Sequence, residues 1–171
     1  MYVLIVYESM FGNTRALANA IAEGVAAWGT TNVVAVGDAP TVVQPDVDLL
    51  IVGGPIHALS LSRPATRAEA VAQGAAPVTP VHRGIREWLS DVRFAGHTAV
   101  AAFDTRAGHV PGCAARATLR RLHRRGGTAI APAASFAVSA LPGPLADGEL
   151  ERARDWGASL AAAVAGRRAR L

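Results

Sequence analysis

Lysine is absent from this chain: all 17 basic residues are arginine, set against 13 acidic ones. That absence excludes an ordinary phosphate-binding P-loop, whose lysine reaches the terminal phosphates. Cysteine occurs once, at Cys113, so no internal disulfide is available and a cytoplasmic setting is expected. No apolar run approaches the roughly 18 residues of a membrane span. The longest candidate, 129–141, is broken by Pro132, Ser135 and Ser139. Nor does a basic segment precede the N-terminal hydrophobic run, which therefore reads as a first strand and not as a signal peptide. Aromatics make up only 5% of the chain, and none interleaves with the arginine clusters at 116–125 and 167–170. Without rings to stack bases, those clusters read as a solvated helix face and a frayed tail, and nucleic acid is disfavoured as a partner.

What remains is a 51% hydrophobic, 18% charged chain of 171 residues, long enough for one domain with a real core. We expect that domain to span 1–166, with 167–171 as a basic tail. Continuous apolar runs at Tyr2–Tyr7, Asn32–Val36, Asp48–Gly53 and His97–Phe103 have the pattern of strands buried on both faces. A fifth run starts at Thr128–Ile130 and resumes near Phe136–Val138. Helical spacing joins them: from Thr14 through Trp28, about Ala65–Gln73, Val81–Val92, Cys113–Arg125 and about Asp147–Ala165. Five alternations of strand and helix imply a doubly wound parallel sheet with helices on both faces. Trp28, Trp88 and Trp156 fall on apolar helix faces and are expected in the core.

The most informative stretch is Ser9-Met10-Phe11-Gly12-Asn13-Thr14, between the first strand and the first helix. A helix opening at Thr14 leaves its first N–H groups unpaired with the positive end of its dipole toward the loop, which suits a phosphate. The hydroxyls of Ser9 and Thr14 and the amide of Asn13 add donors. Other phosphate and nucleotide folds fall away in turn. The loop lacks G-x-G-x-x-G, and Gly53-Gly54-Pro55 stands where a receiver domain needs its aspartate. Leu119 occupies the position, six residues after Cys113, where a small cysteine phosphatase needs arginine. Cys113, with His109 near it in sequence, is a candidate thiolate or simply a small residue opening a helix.

This loop resembles the phosphate-binding loop of flavodoxins, T-x-T-G-x-T, with Ser9, Gly12 and Thr14 at matching positions. Phe11 departs, where a third hydroxyl is usual; similar S-M-aromatic-G loops occur in related quinone reductases that also bind FMN. The resemblance implies a flavodoxin-like, five-stranded sheet of order 2-1-3-4-5, with FMN at the switch point between the first and third strands. By position it implies flavin contacts from Pro55, Ile56, His57 and Ala58 in the second loop and from Asp104, Thr105, Arg106, Gly108 and His109 in the third. The aromatic sandwich of carrier flavodoxins is missing: no Phe, Tyr or Trp lies in 104–112. Positive charge from Arg106 and His109 would favour the reduced flavin by roughly 1–2 kcal/mol. Arg106 could equally point to solvent or pair with Asp104. The remaining histidines, His82, His97 and His123, form no metal-ligand pattern. Arg63 and Arg67 could reach an anionic group or neutralise a partner.

The reading that follows is an FMN-binding electron-transfer protein served by a redox partner protein or a small-molecule acceptor. The alternatives left open are a quinone-reductase-like enzyme taking hydride from NAD(P)H, as a homo-oligomer that completes its pocket, and a flavin-free binding module. A pI near 10.5 sets the chain apart from the acidic electron carriers.

Overall fold

The computed structural model describes residues 1–56, 61–76, 82–108, 113–140 and 142–169. Its centre is a parallel sheet ordered β2-β1-β4-β6, with β7 and β8 both pairing with β6. These strands are β1 (Tyr2–Tyr7), β2 (Thr30–Ala35), β4 (Leu49–Pro55), β6 (Ala99–Ala107), β7 (Thr128–Ala129) and β8 (Ala134–Val138). Counted as one split strand, the last two complete the expected 2-1-3-4-5 winding. Val3 pairs with Leu49 and Leu49 with Ala99, so β1, β4 and β6 run in register and their carboxyl ends fall along one edge. β1 and β4, and β6 as far as Phe103, are apolar runs because each face is covered.

One face carries α1 (Asn13–Val25) and α5 (Glu149–Arg168), packed through Leu17, Ile21, Val25, Leu160 and Val164. The other carries α3 (Ile85–Asp91) and α4 (Ala114–Arg124), packed through Ile85, Trp88, Leu89 and Leu122. α2 (Pro64–Ala72) belongs to neither layer and lies over the loop that follows β1, where Ala70 and Ala75 cover Met10. A second, two-stranded parallel pairing joins β3 (Val42–Val43) to β5 (Arg93–Phe94), inside segments the sequence pattern leaves irregular. Two-residue strands carry too little alternation to be read from sequence.

Among the boundaries that move, three have a clear physical reason. α1 stops at Val25, and Ala26–Trp28 tightens into a 3₁₀ turn before Gly29. The 3.0-residue turn rotates the last positions off the apolar stripe, so Trp28 is 41% exposed and not in the core. Trp88 is fully buried, as expected, and its indole N–H donates to the Pro40 carbonyl at 3.0 Å. α3 begins at Ile85, where two carboxylates take the first N–H groups; the expected start at Val81 lies outside the described residues. β6 runs on to Ala107, which turns part of the expected third loop into strand.

Candidate functional site

The first loop is built around Ser9. Its buried hydroxyl oxygen accepts the N–H groups of Gly12 at 3.1 Å and Arg15 at 3.4 Å, drawing the loop into a tight cup. Gly12 stands before the helix at φ 91°, a left-handed conformation that a side chain resists. Among the described residues, no acceptor takes the N–H groups of Met10, Phe11, Asn13 or Thr14. Together with the α1 dipole these form an anion cradle. A Cβ at Gly12 would meet nothing within 4 Å, so the loop is open on that side.

Beside it lies a cavity of about 310 Å³, lined by the first loop, by Pro55 and Ile56 of the β4 end, by Thr105 and Ala107, and by Val138 and Pro142. Its fourth wall is α2 with the residue that caps it, contributing Thr66, Glu69, Ala70 and Gln73. A second, more open cavity of about 550 Å³ flanks the outer side of the loop, between Gly12, Asn13, Arg15, Gly74 and Pro142–Pro144. The Asn13 side-chain amide donates to the Pro142 carbonyl at 2.6 Å, tying the loop after β8 across the start of α1.

Of the residues proposed from sequence, Ser9, Met10, Phe11, Asn13, Thr14, Pro55, Ile56 and Thr105 line the inner cavity, and Gly12 lines the outer one. Thr14 and Thr105 are both buried, with hydroxyl oxygens 3.3 Å apart across the floor. Asp104 and Arg106 stand on the other side of the strand. Because β6 continues to Ala107, successive side chains alternate: Thr105 and Ala107 face the cavity, whereas Asp104 turns to α4. There one Asp104 oxygen accepts the Ala115 N–H at 2.8 Å and the other the Ser135 hydroxyl at 2.6 Å. Arg106 donates to the same Ser135 oxygen at 3.1 Å, so a serine bridges it to Asp104. Gly108 is exposed with φ 56°. His57, Ala58 and His109 lie outside the described residues.

Two elements of the site are not in the sequence reading. One is the α2 wall: a short helix at about Ala65–Gln73 is legible, but its position over Met10 comes from long-range contacts. The other is Glu8, 1% exposed immediately before the cup. One of its carboxylate oxygens accepts the Ile85 N–H at 2.8 Å; among the described residues the other has no hydrogen-bond partner. Nearby, fully buried Arg67 donates to the Ser62 hydroxyl at 2.7 Å and pairs with Glu87 at 2.8 Å, while Glu87 also accepts the Gly84 N–H. α2 is thereby fastened to α3, and α3 to the first loop.

No protein-family model matches the chain, and no curated protein is similar enough in sequence to be matched. Solved structures are similar in shape. A flavodoxin from the domain Archaea superposes with TM-score 0.65 at 20% identity, over 96% of this chain and 99% of its own. Flavodoxin 1 from Bacillus cereus gives 0.62 at 18%, over 92% and 95%. Rubredoxin oxygen:oxidoreductase from Desulfovibrio gigas gives 0.64 at 16%, over 98% of this chain but only 37% of that longer protein. With the sheet order and the helices on both faces, these likenesses establish that the chain has the flavodoxin-like fold.

Proposed function

We propose that the chain binds FMN at the carboxyl edge of its sheet and works in electron transfer. The observation that carries this reading is the cup at 9–14: four N–H groups without acceptors among the described residues, at a helix N-terminus, opening beside a largely apolar cavity. The phosphate fits the cup because backbone donors and the helix dipole supply its charge complement. Bound flavin supplies one- and two-electron redox chemistry at its ring. Ser9 shapes the cup, Thr14 and Thr105 offer hydroxyls beneath it, and Met10 under α2 keeps water from one side. The ring would rest on Phe11, Pro55, Ile56, Ala107 and Val138. The volume, about 310 Å³, lies at the small end of ligand pockets.

A second reading, an NAD(P)H-dependent reductase, is favoured by one feature. Phe11 is the one aromatic among the described lining residues, which leaves a ring face free for a reactant.

Absorbance and titration with FMN test the proposal. The purified protein is expected to be yellow or to quench FMN fluorescence on mixing. Gly12→Ala should weaken binding about tenfold, since a left-handed residue with a side chain costs roughly 1–2 kcal/mol. A colourless protein that ignores added FMN overturns the reading. Anaerobic NADPH then separates the two versions: rapid bleaching supports the reductase, and stable colour until a reductase is added supports the carrier.

A further inference from the structure

The arginines of α4 are not scattered. Arg116, Arg120 and Arg124 recur every four residues and form one exposed stripe about 12 Å long. Arg121, half-buried, lies close enough for its charge to act on Arg86 of α3. The Arg86 guanidinium donates to the Ser62 carbonyl at 2.9 Å and the Leu61 carbonyl at 2.6 Å, both neutral acceptors. Among the described residues, no carboxylate pairs with Arg86, Arg121, Arg116, Arg120 or Arg124. The acids on α3 are engaged elsewhere: Glu87 with Arg67, and Asp91 with Arg83 at 3.9 Å. Arg63 adds a further exposed cation at the start of α2.

This crowding has an electrostatic consequence. Burial, and then the charges of Arg121 and Arg63, hold the Arg86 guanidinium below the ordinary arginine value. Like charges gathered this closely oppose one another in the free protein, and an arriving set of carboxylates would turn that repulsion into attraction. Arginine suits the task, because its planar fork meets a carboxylate through two parallel hydrogen bonds.

We propose that the α3–α4 face is a docking surface for an acidic protein, with Arg63, Arg86, Arg116, Arg120, Arg121 and Arg124 as its contacts. The occupant is a carboxylate-rich protein and not a nucleic acid because, among the described residues, no exposed aromatic stands beside these arginines: Trp88, the aromatic of α3, is fully buried, and α4 has none. The proposal is independent of the flavin reading, since nothing in the surface touches the cup.

The test measures fluorescence anisotropy with two labelled probes, a 20-residue poly-L-glutamate and a 20-nucleotide single-stranded DNA. Arg120→Glu with Arg124→Glu should weaken polyglutamate binding on the order of tenfold. Ala162→Glu, Ala163→Glu and Arg167→Glu on α5, all exposed, lower net charge by the same amount and should change it less than about threefold. Equal loss in both variants reduces the effect to net charge and overturns the proposal. DNA binding tenfold tighter than polyglutamate overturns it too, making nucleic acid the occupant. Both variants are checked by circular dichroism; should the glutamate pair misfold, Arg120→Gln with Arg124→Gln is used, and it must weaken polyglutamate binding measurably or the proposal fails.

Discussion

The two faces of the sheet treat charge and space in opposite ways. On the α1/α5 face the helices approach backbone to backbone: a side chain on Gly24 would overlap the Arg154 carbonyl, and one on Gly157 the Ile21 carbonyl. Beneath them Phe103, Phe136 and Trp156 meet edge to face with centroids 6.0–6.1 Å apart. Among the described residues, three of the cations there have carboxylate partners: Arg152 with Glu149, Arg168 with Asp48, and Arg154. Arg154 bonds Glu23 at 2.6 Å and Glu151 at 3.2 Å, and the bond to Glu23 raises its pKa. Against the α3/α4 face the fully buried arginine of α2 sits inside a polar network, and a neighbouring arginine is depressed first by burial and then by other arginines. Cations matched by local carboxylates hold a fold together; cations gathered without them are available to something else.

The largest expected effect breaks the buried matched cation that α2 sets against the second face, Arg67. Arg67→Ala removes a fully buried guanidinium and strands Ser62 and Glu87, which should cost about 3–5 kcal/mol. Urea denaturation measures it. Since Arg67 also fastens α2 to α3, the wall over Met10 should loosen, and limited proteolysis should cut within 61–76 first. A loss below about 1 kcal/mol would mean the network contributes no more than a surface pair.

Gly157→Ala probes the other face and should cost about 1–3 kcal/mol, because the new methyl meets backbone that cannot rotate away. The loss should appear in thermal melts without any change in polyglutamate binding, which separates the closed face from the open one. A neutral Gly157→Ala would show that α5 slides on α1.

These contrasts also mark how far the sequence could be read. Strand and helix placement was legible because buried parallel strands are apolar runs and amphipathic helices repeat at 3.6 residues, whereas the strand order came from the resemblance of the first loop. The cup at Ser9–Thr14 was legible as well, since hydroxyl, glycine and threonine stand at fixed offsets before a helix. The cavity wall from α2 was not: Thr66 and Glu69 come beside Met10 through a network of Arg67, Glu87 and Ser62 that no local pattern encodes. Asp104 shows a subtler limit. Ending β6 at Phe103 made 104–107 a loop whose side chains could all face a ligand, whereas four more residues of strand send alternate side chains to opposite sides.

The smallest effect concerns the residue that periodicity placed wrongly. Trp28 continues the α1 stripe on paper, yet the 3₁₀ turn leaves it 41% exposed, whereas Trp88 is wholly enclosed. Trp88→Ala should therefore cost about 3–5 kcal/mol, and Trp28→Ala about 0.5 kcal/mol, the range of ordinary surface substitutions. Tryptophan fluorescence sharpens the comparison: removing Trp28 should delete the component that acrylamide quenches most readily and leave the blue-shifted emission of the buried ring. If Trp28→Ala destabilises as much as Trp88→Ala, α1 continues as a regular helix past Val25 in solution and its apolar stripe reaches the core after all.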